Sequence, residues 1–386
     1  MFGSIFTGLS GMQAFSSALR QISNNITNIN STGFKSSAAS FSGLFGLGDQ
    51  ARPGNSEQGV ALGPTRIDFA QGELRQTDRD LDLAVDGEGF LVLLKDADLY
   101  FARTGSFEVN DKGDIVLSGT DYRLTVLNEH GEPVTLNINQ DRTSAPQATK
   151  TVTFTDNLSS TATSFDVSSI KVFDAAGASD TWRAHFARTA SDAPGDWTMT
   201  VTNGQGAEIA NEKIHFINGI IDPSTATIAV SDTAAGRSVN FDFSHGVTSF
   251  SAGDSSTLSV SNADGFGPGD LLSVAVNDKG ILQISYSNGQ KKDLGAVTLA
   301  WFQDKGDLEQ RSDGALTDRQ TRPVFMTTAN DRVGTVTGKR LEASNVDLSR
   351  EFGELILVQR GFQASSQVVS VSNDMIQQLF GIRGQG

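Results

Sequence analysis

The chain has 386 residues, 38% of them hydrophobic and 19% charged, with 40 glycines and 8 prolines. That is too apolar for a disordered chain and too long for one hydrophobic core, so two to four turn-rich domains are expected. A formal net charge of −15 argues against nucleic-acid partners. The absence of cysteine removes disulfides, thiol nucleophiles and Cys-based metal sites.

The four histidines, His130, His185, His215 and His245, are too scattered in sequence to form a metal motif, and no cofactor is expected. No run approaches about 18 uninterrupted apolar residues and no basic leader opens the sequence. Neither membrane insertion nor a cleaved signal peptide is therefore predicted. Composition alone would read as cytoplasmic.

The first element is a helix. Phe2, Ile5, Phe6, Leu9, Met12, Phe15, Leu19, Ile22, Ile26 and Ile29 recur every three or four positions, which puts them on one stripe. Gly8 and Gly11 weaken it locally. The Asn-, Ser- and Gly-rich run 24–33 predicts a stop near Ile29. Residues 31–77 are rich in Gly, Ser and Ala and read as an extended connector.

From Leu81 to Asn139 short β-like runs alternate with turn signals at Asp86-Gly87, Lys112-Gly113 and Ser118-Gly119. Asp78, Asp80, Asp82 and Asp86 lie close together there. They do not match a calcium loop and read as solvated turn carboxylates. A matching β pattern from Leu271 to Trp301 contains Asn288-Gly289, a strong hairpin signal.

Between them, residues 140–269 are rich in Thr, Ser and Asp. Trp182, Phe186, Trp197, Met199 and Phe216 are candidates for the core of an inserted antiparallel sandwich or barrel. The last element mirrors the first. Leu348, Phe352, Leu355, Val358, Phe362, Val369, Ile376 and Leu379 form a second helical stripe, with Asp347 placed to cap it and Gly381 and Gly384 to end it.

The predicted fold is mainly β with long terminal α-helices, nested discontinuous β domains and terminal helices that pair in a coiled-coil-like core. Its layers are a helical domain (1–30 with 347–386), a connector (31–77 with 322–346), a first β domain (78–139 with 270–321) and a second, inserted β domain (140–269). Each terminal stripe needs a partner. Two solutions are open: an intramolecular hairpin, or burial of the stripes between copies of the chain.

In the second solution the interface is Ile5, Leu9, Met12, Leu19, Ile22, Ile26, Leu348, Phe352, Leu355, Val358, Phe362, Val369, Ile376 and Leu379, and an isolated chain leaves its ends unordered. No phosphate loop, catalytic triad or zinc signature appears, so an enzyme is not expected. A β-headed adhesin is the other non-enzymatic class. Lys35 reads as an ordinary surface lysine.

The runs 9–14 and 22–35, the latter carrying Asn24, Asn25, Asn28, Gly33, Phe34 and Lys35, resemble the N-terminal motif of the flagellar rod and hook protein family. The runs 341–348, with Ser344, Asn345, Val346 and Asp347, and 358–364, with Gln359 and Arg360, resemble that family's C-terminal motif. The stretches 81–90 and 101–107 resemble its middle. Gly361-Phe362 departs from the family's usual small or polar residue followed by Tyr, with the aromatic position kept.

The room for an inserted domain and the run 284–290 are similar to hook members more than to rod members; a distal rod subunit is the alternative. The resemblance implies a self-assembling structural subunit, exported unfolded through the flagellar type III apparatus to the cell exterior. Its implied partners are the hook cap, the distal rod and the hook–filament junction proteins.

Overall fold

Both chain ends are helical and the strands lie between them. The computed structural model describes residues 2–43, 60–63, 65–188, 193, 195–311, 314–318, 324–330 and 332–383. Helix α1 spans Phe2–Thr27 and helix α2 spans Leu348–Arg383. The predicted class, mainly β with long terminal helices, is the observed one.

The end of α1 is closed by its asparagines. Asn28 Nδ2 donates to the Asn24 carbonyl at 2.9 Å, Ser31 Oγ donates to Asn28 Oδ1 at 3.0 Å, and Gly33 turns the chain with φ 69°. Asp347 caps α2, its Oδ1 accepting from the Ser349 amide at 2.8 Å and the Arg350 amide at 3.3 Å. Gly381 does not end α2, which runs on to Arg383. Gly384 lies outside the described residues.

The chain divides into two compact units. The first comprises 1–139, 274–284 and 292–386; the second comprises 140–273 and 285–291. The strands Gly269–Val276, Ile281–Tyr286 and Lys291–Ala296 are shared between them.

In the first unit a large sheet runs in the order Leu308–Gln310, Leu316–Asp318, Asp98–Ala102, Phe90–Lys95, Arg123–Leu127, Ile115–Leu117, Thr104–Val109, Asp82–Asp86, Thr335–Gly338. Its core packs Phe90, Phe101 and Phe302 edge to face. Gly113 and Gly119 take the positive φ that the sequence signals foretold. Asp86-Gly87 is not a hairpin. Asp82–Asp86 pairs with Thr104–Val109 and Thr335–Gly338, and Gly87 is needed because a Cβ there would lie 2.5 Å from the Gly334 Cα.

The second unit stacks two sheets on one core. One has the order Thr227–Asp232, Arg237–Asp242, Thr151–Thr155, Ser259–Ala263. The other has the order Ser164–Phe173, Ser179–Ala187, Asp196–Thr202, Glu208–Ile217, Ile220–Ile221. Trp182, Phe186, Trp197, Met199 and Phe216 are all buried there. The expectation of a purely antiparallel domain fails at one pair, since Thr151–Thr155 runs parallel to Arg237–Asp242.

The connector is more ordered than its composition implies. Ser37–Ala38 pairs with Arg66–Ile67, Phe41–Gly43 with Val60–Leu62, and Leu74–Gln76 with Arg340–Glu342. Lys35 is not a surface lysine. Its Nζ is buried, 2.5 Å from Glu342 Oε1 and 2.7 Å from the Ala70 carbonyl. Burial pushes the Lys35 ammonium below its ordinary pKa, against the pull of Glu342.

Glu342 also accepts from the Gly72 amide at 2.8 Å and from the buried Arg103 guanidinium at 3.3 Å. One carboxylate thus ties the connector, the large sheet and the approach to α2. Asp82, read from sequence as solvated, is buried beside Ser106 and Arg79, while Asp80 pairs with Lys339 at 3.0 Å. Among the described residues no cluster of metal-ligating side chains occurs.

Removing one partner of a buried charge cluster strands the others in a dry interior. Glu342→Ala is therefore expected to cost about 3–5 kcal/mol, read as a lower urea midpoint of the first unit. A loss under about 0.5 kcal/mol, typical of surface changes, would show that the cluster is not a structural keystone.

Candidate assembly interface

The terminal helices pair with each other inside one chain. They run antiparallel: Asn25 meets Glu351, Ala18 and Ile22 meet Val358, Phe15 meets Gly361, Gly11 meets Ser365, Gly8 meets Val369 and Ser4 meets Ser372. On α1 the inward positions Ser4, Gly8, Gly11, Phe15, Ala18, Ile22 and Asn25 alternate spacings of four and three. On α2 Glu351, Leu355, Val358, Phe362, Ser365, Val369, Ser372 and Ile376 do the same. That is a heptad seam, the signature of coiled-coil packing.

The seam is close because it is built from small residues. A Cβ on Gly8 would lie 2.6 Å from Val369 Cγ2, one on Gly11 2.8 Å from Ser365 Oγ, and one on Gly361 2.5 Å from the Phe15 ring. The glycines that weaken helix propensity let the helices touch. The expectation that an isolated chain leaves its ends unordered is contradicted: both helices are formed and partnered within the chain.

The predicted interface residues separate into three sets. Ile22 and Val358 lie in the intramolecular core, flanked by Leu19, Ile26 and Leu355. Ile5, Met12, Phe362, Val369 and Ile376 are half-buried, whereas Leu9, Leu348 and Phe352 are exposed. The Leu379 side chain lies outside the described residues.

Sequence reasoning missed a further set. Ile356, Leu357, Val368, Val371 and Met375 are exposed on α2, while Phe6, already read as part of the α1 stripe, is exposed on α1. Leu357, Ala364, Val368, Val371 and Met375 are spaced seven, four, three and four residues apart. At 3.6 residues per turn they form a second stripe about a third of a turn from the seam. Leu357 is 71% exposed. Leu9 and Phe6 form an apolar patch on α1 that likewise faces away from α2.

The motif residues serve the root of this hairpin. Asn25 Nδ2 donates to the Ser37 carbonyl and to Glu351 Oε1, both at 2.9 Å, and its Oδ1 accepts from the Ser37 amide at 3.1 Å. Asn345 Oδ1 accepts from the Ser36 amide at 2.7 Å, while its Nδ2 donates to the carbonyls of Asp68 and Ala70. The Gly33 amide donates to the Glu342 carbonyl at 2.8 Å and the Asn345 amide to the Phe34 carbonyl at 3.3 Å. Asn24, Asn28 and Asp347 supply the helix ends, Ser344 Oγ accepts from the Val346 amide at 3.3 Å, and Val346 is buried. Gln359 and Arg360 are exposed on α2.

Glu351 is a buried acid in this seam, and its Oε2 has no hydrogen-bond partner. Burial pushes its carboxyl above the ordinary range, the Asn25 amide pulls it back, and Glu354 and Asp347 add to the rise while Arg350 opposes it. The folded state therefore holds this proton more tightly than the unfolded chain. Its contribution to stability is complete below the ordinary glutamate range and is lost as pH rises through the elevated value.

Glu351→Gln is expected to raise the melting temperature of the helical signal at pH 8 and to narrow the difference between pH 5 and pH 8. A variant that melts lower at pH 8 would show that the charged form is the one the hairpin needs.

Comparison with known proteins agrees with this geometry. The family description "Flagella basal body rod protein" matches residues 5–35, and "Flagellar basal body rod FlgEFG protein C-terminal" matches residues 337–382. The flagellar hook protein FlgE of Escherichia coli K12 is 28% identical, with 97% of this chain and 98% of that protein covered. The flagellar hook protein FlgE of Treponema pallidum is 26% identical, with 99% and 100% covered. Among solved structures, the flagellar hook protein FlgE2 of Helicobacter pylori shares the fold with a TM-score of 0.51 at 11% identity, covering 70% of this chain and 99% of that one. Matched by the family's models at both ends and by hook proteins over nearly its whole length, the chain is similar throughout to the flagellar rod and hook protein family.

Proposed function

We propose that this structural subunit of the flagellar hook polymerises through the apolar faces that its own helix hairpin leaves uncovered. The observation that carries the reading is the pair of stripes on α2. One closes the hairpin and the other, from Leu357 to Met375, stays exposed. A monomer gains nothing from that second stripe, while neighbouring copies can bury it at about 25 cal/mol per Å².

The end of α2 adds to the case. With Ser4 opposite Ser372, about nine residues of α2 run past the start of α1, or about 13 Å at 1.5 Å per residue. In the assembled tube this overhang would meet the next copy.

In this reading the four nested layers have separate tasks. The terminal helices form a packed inner wall, which resists torsion. The connector and the first β domain surround it, and the inserted second β domain supplies further contacts between copies. Its exposed strand positions are largely Ser, Thr, Asn and charged residues, which form wet contacts that rearrange at low cost. A torsionally stiff, flexible tube passes motor torque around a bend as a universal joint. The subunit is exported unfolded by the flagellar type III apparatus, added beneath a hook cap, and contacts the distal rod and the hook–filament junction proteins. The near full-length matches to hook proteins favour this over a distal rod subunit.

The structure separates two kinds of helix mutant. Ile22→Ala empties the hairpin core and is expected to cost about 2–5 kcal/mol, lowering stability and assembly together. Leu357→Ser is expected to leave the melting of the free chain unchanged and to cut the sedimenting tube yield at least about tenfold, a loss of about 1.4 kcal/mol per contact. Wild-type tube yield for Leu357→Ser, with curved tubes in electron micrographs, would exclude the exposed stripe as the assembly surface.

A further inference from the structure

The sequence holds three Asn-Gly pairs, at 203–204, 218–219 and 288–289, all in the second unit. Asparagine before glycine is chemically labile, because no side chain shields the glycine nitrogen from the preceding side-chain amide carbon. Attack of that nitrogen closes a five-membered imide. The fold treats the three pairs differently.

Two of them are locked. Asn203 Oδ1 accepts from the Gln205 amide at 3.1 Å and the Ala207 amide at 3.0 Å, and its Nδ2 donates to Asp232 Oδ2 at 3.1 Å. The Gly204 amide donates to Asp180 Oδ1 at 3.2 Å. Asn288 Oδ1 accepts from the Gln290 amide at 3.1 Å, and its Nδ2 donates to the Gly267 carbonyl at 2.9 Å and to Ser144 Oγ at 3.3 Å. The Gly289 amide donates to the Tyr286 carbonyl at 3.0 Å. In each pair both reacting groups are held, and these bonds must break before nitrogen reaches carbon.

Asn218 and Gly219 are not held in this way. They form the turn between Glu208–Ile217 and Ile220–Ile221, with φ 52° and 81°. Among the described residues neither the Asn218 side chain nor the Gly219 amide makes a hydrogen bond, and Asn218 is exposed. The Gly219 carbonyl accepts from the Ser249 amide at 2.8 Å, but it takes no part in the attack. The second arm of the hairpin is only two residues long, so little pairing resists a rotation within the turn. The turn also demands this labile pair. Positive φ at both positions favours Asn and Gly, and a Cβ on Gly219 would sit 2.4 Å from the Phe250 ring.

We infer that Asn218 is a self-modification site. The Gly219 nitrogen bonds to the Asn218 side-chain carbonyl carbon, the bond from that carbon to the side-chain nitrogen breaks, and ammonia leaves with the proton lost from the Gly219 amide. Water then opens the imide at either carbonyl, giving aspartate or isoaspartate; the second adds a methylene to the main chain between the paired Ile217 and Ile220. Water is the one co-reactant. Either product places a carboxylate among Ile217, Ile220 and Phe250, which are 52%, 62% and 52% exposed. A neutral, apolar turn on a chain of net charge −15 thus becomes acidic with age.

The test uses the full chain, kept folded at pH 8, with its peptides followed by mass spectrometry. Conversion at Asn218 is expected to run at least about tenfold faster than at Asn203 and Asn288, and to yield both aspartate and isoaspartate. It should slow at pH 6, since the glycine amide attacks after losing its proton. In concentrated urea the bonds that lock the other two pairs are gone, and all three should react at similar rates.

Comparable rates at the three pairs in the folded chain would overturn the inference. So would a preference for Asn218 that persists in urea, because local sequence and not the fold would then set it. Asn218→Asp, which keeps a residue tolerant of positive φ, is expected to elute from a hydrophobic-interaction column earlier than the fresh parent, as the aged chain does. Unchanged elution of both would refute the change of surface.

Discussion

The close approach of the two chain ends is the constraint on which the rest depends. Gly8, Gly11, Ala18, Gly361, Ser365 and Ser372 bring α1 and α2 together so tightly that a single methyl at several positions would collide with the opposite helix. Small residues supply little hydrophobic burial of their own; they give proximity, and the larger Phe15, Ile22, Leu355 and Val358 exploit it. Once the ends are joined, every intervening residue is an insertion into a helical hairpin, and the nesting of domains follows from topology.

Polar groups set which way and how far the hairpin slides. A purely apolar heptad seam tolerates shifts of one repeat, because each repeat resembles the next. Asn25 against Glu351 at the root and Ser4 against Ser372 near the far end pin the register at two points. The Asn25 amide also holds the Ser37 backbone, and Glu342 collects Lys35, Arg103 and the Gly72 amide a few residues before α2 begins. The motif asparagines and the buried lysine are thus fastenings between the hairpin root and the β framework.

Much of the fold was legible because it rests on periodicity and turn chemistry. Both helices, the short strands from Phe90 to Leu127, the Asn288-Gly289 turn and the aromatic core of the second unit come directly from residue patterns. The packing face of the helices was legible only in part. Apolar periodicity selects the largest residues, whereas the seam is lined by glycine, alanine and serine, which carry almost no hydrophobic signal. Leu9 and Phe352 were therefore placed where Gly8 and Glu351 belong. Lys35 and Asp82 were misplaced for a related reason: a charge is read as solvated unless its partner is known, and the partner of Lys35 is more than three hundred residues away.

That failure of apolar periodicity separates two interfaces that one stripe had merged. A helix that closes on itself through small residues leaves its large apolar residues on other faces, so Leu357, Val368, Val371 and Met375 stay available after the chain has folded. On the proposed reading the hairpin and the polymer use different surfaces of α2, so the intramolecular seam does not compete with assembly. Folding the hairpin first fixes the angle at which the second stripe is presented. Assembly through that stripe would join surfaces already held in place, with less conformational entropy left to lose than if the helices formed only on contact.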